Sequence, residues 1–385
     1  MQILKLILKN SLRHKLRTAL TLLGLVVAIL AFGLLSTVVD AWYAGAEGAS
    51  TARLVTRNSI SLVFPLPLTY AQKIRQVEGV KAVSTANWFG GIYKEPKNFF
   101  PQFAVDAQSY FELYPEYIFD EAEKRDFQRD RKGAVVGRKL ADTYGFKVGD
   151  GVTLKGSIFP GNWDFVVRAI FDGRDAKVDT AQFFFHWDYL NEVTKRNYVR
   201  RANQVGVYVV ELANPARAAE VSREIDALFA NSLAETLTET EKAFQLSFVS
   251  MTEAIVVAIR MVSFLVIFII LAVMANTMAM TARERSAEYA TLKALGFPPR
   301  FVVSLIVGES LALACIGGGL GIALTFPVAR AFGREMGSLF PVFNVSMETV
   351  ALQFACMLVV GLVAAAVPSR YAARVNIVDG LRNIG

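Results

Sequence analysis

Residues 18–39, 261–280, 301–329 and 349–369 form four long apolar runs. The first carries no charge for about 22 residues, enough to cross a hydrocarbon core of about 30 Å. A segment crossing lipid must satisfy its own backbone, so each run predicts an α-helix. Between the first two runs lie about 200 residues of mixed polar character, a full domain by size. The sequence therefore predicts a membrane protein. Its fold class is four transmembrane α-helices with a large α+β extracytoplasmic domain inserted between spans 1 and 2. Charged residues make up 19% of the chain, below the roughly 25% usual in soluble proteins.

Charge at the span ends sets the orientation. Lys5, Lys9, Arg13, Lys15, Arg17, Arg283, Arg285, Lys293, Arg300, Arg370, Arg374 and Arg382 gather on one side. The other side is mixed, with Asp40, Arg330, Arg334, Glu335 and Glu348. The positive-inside rule then puts both termini in the cytoplasm and the inserted domain outside. The net charge of +7 follows from that topology and calls for no nucleic acid. In residues 1–17, Lys5, Lys9, Arg13 and Arg17 make one stripe and Leu4, Leu8, Leu12 and Leu16 another. Such a helix suits the inner membrane surface, its cations at anionic lipid headgroups. A plain cytoplasmic extension of span 1 accounts for it equally. The first run starts too late and lacks a small-residue cleavage site, against a cleavable signal peptide.

The expected division is residues 1–17, an amphipathic cytoplasmic helix; 18–39, span 1; and 40–245, the external domain. There follow 246–280, a stalk and span 2; 281–300, a cytoplasmic helix; 301–329, span 3; 330–348, an outer loop; 349–369, span 4; and 370–385, a cytoplasmic tail. Within the external domain, helices are expected at 67–78, 139–144 and 213–229. Strands are expected at 80–84, 102–106, 133–136, 152–155, 165–170 and 205–210. The Asp150-Gly151 step reads as a hairpin-type turn, and strand–helix alternation suggests one or two α+β lobes. Residues 233–260 hold no Gly or Pro and read as one long helix entering span 2.

The polar stretch 281–297 sits between spans 2 and 3, closed by Pro298 and Pro299. It carries Arg283, Glu284, Arg285, Glu288 and Lys293, then Leu295 and Gly296. Glu284-Arg285, Glu288 and Lys293-Ala294-Leu295-Gly296 resemble the E-R-x-x-E-I-G-x-x-K-A-L-G loop of ABC-transporter permeases of the MacB/FtsX/Lol type. Tyr289-Ala290 stands where that family has Ile-Gly. Arg17-Thr18 through Leu23-Gly24 resembles its entry to span 1. Ala373-Arg374 and Leu381-Arg382 resemble its ending, with Ile377 and Gly380 in place of Pro and Ala.

The resemblance implies that 281–300 is a coupling helix docked on a cytosolic ABC ATPase dimer. Arg283, Glu284, Arg285, Glu288, Lys293, Leu295 and Gly296 would carry the docking. It further implies a bacterial inner-membrane permease that turns ATP hydrolysis on another chain into motion of its periplasmic domain. Export from the periplasm or envelope is the expected output. A second permease copy or paralogue, and a periplasmic adaptor or substrate protein, are the implied partners. The alternative is a membrane-anchored sensor or scaffold without an ATPase.

Catalytic chemistry is not evident. There is no GxxxxGK[ST] loop to cradle a phosphate, so ATP and Mg would be bound by the partner. His14 and His186 are far apart, and no HExxH or GxSxG occurs. Cys315 and Cys356 lie in apolar runs and read as buried apolar residues rather than a disulfide. No cofactor or metal is expected. Gly317-Gly318-Gly319-Leu320-Gly321 lies in a span with no preceding strand, so Gly317 and Gly321 predict close helix packing. Glu309 is an ionisable group inside span 3, where such groups are costly. Bonding to a neighbouring helix is its expected role, with proton- or ion-coupled transport as the alternative.

Overall fold

The computed structural model describes residues 15–175, 177–335, 340 and 342–374. The patterns read in residues 1–14 and from 375 onward lie outside the described residues. The chain divides into two units: residues 1–41, 252–335 and 343–385, and residues 42–251 with 336–342. Helices, numbered along the chain, are α1 (Lys15–Gly48), α2 (Tyr70–Arg75), α3 (Tyr110–Leu113), α4 (Glu121–Arg129), α5 (Arg138–Tyr144) and α6 (Trp187–Asn197). They continue with α7 (Ala218–Leu228), α8 (Glu241–Ser250), α9 (Glu253–Glu284), α10 (Ser286–Ala294), α11 (Pro299–Glu335) and α12 (Met347–Arg374).

Among the described residues, α1, α9, α11 and α12 contain the stretches long and apolar enough to cross a membrane. Leu25, Ile29 and Phe32 recur on one face of α1 at helical spacing. They pack with Ile267, Ile270 and Met274 of α9, Val302 and Ile306 of α11, and Met357 and Val360 of α12. The glycines decide how closely α11 approaches α1. A Cβ on Gly317 would lie 2.7 Å from Leu25 Cβ, and one on Gly321 would lie 2.9 Å from the Val26 carbonyl. Gly319, between them, would meet nothing within 4 Å.

Polar side chains in the spans mostly bond to their own helix. Ser263 donates to the Ile259 carbonyl at 2.8 Å, and Thr277 to that of Val273 at 2.9 Å. Gln353 is different: its Nε2 donates across to the Ile29 carbonyl at 2.8 Å and to Thr325 Oγ1 at 2.9 Å. Its amide lies where a Cβ on Gly33 would stand. At the start of α12, Asp40 Oδ2 accepts from Ser346 and Thr349 at 2.6 and 2.8 Å. A carboxylate there complements the positive helix N-terminus. Both cysteines are free thiols. Cys315 lies on the outer surface of the bundle rather than inside it, because its neighbours Ala314 and Gly317 take the inner face of α11.

Among its described residues, the inserted unit is built on an eleven-stranded sheet. The strands used below are β1 (Arg53–Asn58), β2 (Leu66–Pro67), β3 (Val80–Trp88), β4 (Gly91–Ile92), β5 (Gln102–Val105), β6 (Tyr117–Ile118) and β7 (Gly133–Gly137). Further along are β8 (Gly151–Gly156), β9 (Gly161–Gly173), β10 (Phe183–His186), β11 (Gln204–Val205), β12 (Val207–Leu212) and β13 (Thr236–Thr240). Their order is β13-β1-β12-β3-β5-β10-β7-β9-β8-β4, with β6 on β9 and a separate β11–β2 pair. β10 joins the two halves, parallel to β5 and antiparallel to β7. Its Phe183 and Phe185 enter one core and Phe184 the other, so both faces of this strand are buried.

Two local expectations change. Residues 233–260 are not one helix: β13 pairs with β1, then α8 and α9 follow, separated at Met251–Thr252. Thr236 and Thr238 bond to Asp226, and Thr residues suit a strand. The turn at 148–151 joins α5 to β8 rather than forming a hairpin. The hairpin is the next connection, β8 to β9 across Gly156–Gly161.

Gly317→Val and Gly321→Val should each destabilise the purified protein by about 1–3 kcal/mol through overpacking. Gly319→Ala should leave the thermal midpoint unchanged. Differential scanning fluorimetry in detergent checks all three.

Candidate functional site

The polar turn between α9 and α11 is compact. α9 ends at Glu284, Arg285 makes the corner, and α10 runs from Ser286 to Ala294. Its exit is a Schellman motif: the Gly296 N–H donates to the Lys293 carbonyl at 3.0 Å and the Phe297 N–H to that of Leu292 at 3.1 Å. Gly296 has φ of +92°, where a side chain would be strained. Pro298 and Pro299 then open α11.

Most charges of this turn point back into the bundle. Arg17 of α1 grips Glu284 with both guanidinium ends, at 2.8 and 2.9 Å. Arg285 Nε donates to Glu288 at 2.9 Å, and its Nη1 to Glu309 of α11 at 3.0 Å. Its guanidinium also lies 5.5 Å from the ring centre of Tyr289. Burial pushes the Tyr289 hydroxyl up to about 12, so it stays neutral. Lys293 donates to the carbonyls of Ala372 and Ala373, at 3.0 and 2.8 Å. These are end carbonyls of α12, where a cation is favourable. Glu309 is thus an ion-paired anchor for the turn.

The outward surface of the turn is different. Arg283, Thr291, Ala294, Leu295, Gly296, Phe297, Pro298 and Arg300 are exposed. Leu295 is 71% exposed, and Phe297 stacks on Phe301 with centroids 4.9 Å apart. Gly317 and Gly321 are remote from this turn, at the α1 contact. Of the residues singled out in the sequence, Glu284, Arg285, Glu288 and Lys293 join the bundle network, with Glu309. Arg283, Leu295 and Gly296 face outward. Arg17, Tyr289 and Phe297 were missed as members; a buried aromatic in a polar turn was the available signal.

A second ionic cluster lies in the inserted unit. Arg53, 4% exposed, donates through Nε to Glu241 at 2.8 Å and through its Nη atoms to Glu116 and the Leu113 carbonyl. Its guanidinium sits 4.1 Å from the Tyr114 ring centre. Glu241 also accepts from the Ser50 N–H at 2.9 Å and opens α8, where a carboxylate is favourable. Burial raises Tyr110, Tyr114 and Tyr117 above the usual phenol range. The cluster ties the chain's entry into the domain to its exit. No group of His, Cys, Asp and Glu among the described residues has metal-binding geometry.

Comparison with known proteins gives the family. The model described as MacB-like periplasmic core domain matches residues 18–228, more than half of the chain. That described as FtsX-like permease C-terminal matches residues 260–377. The chain belongs to the MacB/FtsX-type ABC transporter permeases. An uncharacterised ABC transporter permease of Methanocaldococcus jannaschii is 24% identical over 97% of this chain and 96% of its own length. The macrolide export ATP-binding/permease protein MacB of Shewanella sp. is 22% identical over 58% of this chain and 34% of that protein. The periplasmic region of MacB from Actinobacillus actinomycetemcomitans covers 52% of this chain at 10% identity and a TM-score of 0.36. The permease's charged turn falls inside the FtsX-like match.

Arg53→Met would leave Glu241 buried, and Glu116 half-buried, without the guanidinium they share. It should cost about 3–5 kcal/mol, whereas Lys81→Met, at an exposed pair with Glu211, should cost less than about 1 kcal/mol. Thermal midpoints of the two purified variants check the contrast.

Proposed function

We propose that this chain is the transmembrane subunit of an ABC transporter whose α10 turn docks on a separate cytosolic ATPase dimer. ATP and Mg would be held by that partner, since this sequence has no P-loop. The permease itself catalyses nothing and passes motion to the periplasmic domain, in service of export from the periplasm or envelope. It sits in a bacterial inner membrane with both termini in the cytoplasm, paired with a second permease copy or a paralogue. An external adaptor or substrate protein meets the periplasmic domain.

The observation that carries this reading is the outward edge of the turn. Leu295 and Phe297 stand exposed, as do Arg283 and Arg300, within the FtsX-like region. Exposed apolar residues next to charge, on a segment held from behind, make a docking surface. The positive flanks of the spans support the orientation. The docking role of Arg283, Leu295 and Gly296 belongs to this edge; that of Glu284, Arg285, Glu288 and Lys293 is to hold the turn.

A tagged permease is purified from detergent-solubilised native membranes and the co-purifying proteins identified. A soluble ATPase in stoichiometric amount is expected. Leu295→Asp should lower its recovery by about thirtyfold, as for an interface hot spot of about 2 kcal/mol. Glu284→Gln should not lower it, because Glu284 faces Arg17. Unchanged recovery with Leu295→Asp, or no ATPase at all, overturns the proposal and favours an anchored sensor or scaffold.

A further inference from the structure

The short helix α10 has little core of its own: of its residues only Tyr289 and Ala290 are buried. A nine-residue helix is marginal in isolation. What holds it is a set of charge-assisted bonds to its neighbours. The strongest candidate is Arg285, whose side chain is 13% exposed and whose partner Glu309 is 7% exposed. Its guanidinium is shared between Glu288 on α10 and Glu309 on α11, and it lies against Tyr289. A planar fork can bridge two carboxylates at once, which an ammonium cannot do with the same geometry.

We propose that Arg285 is a positioning residue that locks α10 to α11, so that the docking helix and the third span move as one body. Glu309 is then the fixed end of that joint within span 3. Lys293, bonded to the last carbonyls of α12, steadies the far end of α10. Force applied at Leu295 reaches α11 through Arg285 and Glu309, rather than through the loop backbone at Gly296–Pro299. The transmission part of this proposal rests on the ATPase-docking reading; the joint itself does not.

The test uses the full-length protein in lipid nanodiscs. The double variant Arg285→Met with Glu309→Leu removes both charges and leaves neither buried alone. Hydrogen–deuterium exchange of residues 286–294 should rise by about tenfold, while peptides from 301–329 stay as protected as before. Glu309→Gln keeps an acceptor oxygen and should stay within about threefold of the parent. A general loss of bundle structure would raise exchange in the spans as well. Unchanged exchange of 286–294 in the double variant overturns the joint.

The second arm adds the co-purifying ATPase. With the ATPase added until it saturates both proteins, the double variant should lose the permease-dependent change in ATP turnover. Turnover identical to the parent overturns the transmission role. If no ATPase co-purifies with the parent protein, the docking reading fails, and the exchange arm alone still decides the joint.

Discussion

Lipid removes the usual driving force for packing. Hydrocarbon tails are as apolar as leucine, so helices in a membrane gain little by burying apolar faces. The bundle depends instead on close backbone approach and on bonds between polar groups. Gly317 and Gly321 let α11 lie against the Leu22–Ile29 stretch of α1. Gln353 then bonds to a backbone carbonyl of α1 and to Thr325 of α11, linking three helices at one point. Gly33 is needed opposite it, because a side chain there would occupy the place of the Gln353 amide.

The two ends of the bundle are closed by charge, and each closure draws on distant parts of the chain. Asp40 caps α12 across the bundle from α1. At the opposite ends of these helices, Arg17 meets Glu284 and Lys293 meets the end of α12. In the inserted unit, Arg53 performs the same service between the first strand and α8. These bonds differ in strength with burial. The Arg17–Glu284 pair is partly exposed and screened, whereas the Arg53 pairs and the Arg285–Glu309 pair are largely withdrawn from water. Breaking one side of a buried pair is far more costly than losing a surface pair.

The four spans and the fold class were legible because charge-free runs of that length have one stable solution in lipid. The span ends were less so: α9 begins at Glu253 and α11 runs to Glu335, since helices continue past the hydrocarbon with charged residues. Within the inserted unit, β3, β5, β7 and β12 showed themselves by apolar runs. β10 did not, because three successive phenylalanines serve two cores and show no alternation. β13 was read as helix because residues 233–260 hold no Gly or Pro, although Thr236, Thr238 and Thr240 repeat at the strand period of two. The Arg53 cluster could not be read at all: its partners lie 63 and 188 residues away, and only the sheet register brings them together.

The charged turn shows what the sequence leaves open about a motif's side chains. In the sequence, Glu284, Arg285, Glu288 and Lys293 look like a surface made to meet a partner. In the structure most of that charge faces the permease's own helices, and the apolar Leu295 and Phe297 face outward. The physical reason is the shortness of α10. A helix of two to three turns flanked by spans cannot hold its orientation by propensity alone, so its ionic groups are drawn to anchoring it. The residues left exposed lie beyond its last turn, at Leu295 and Phe297, on either side of the Schellman exit at Gly296. A pattern dense in charge can therefore mark the rigid back of an interface, with the contact surface beside it.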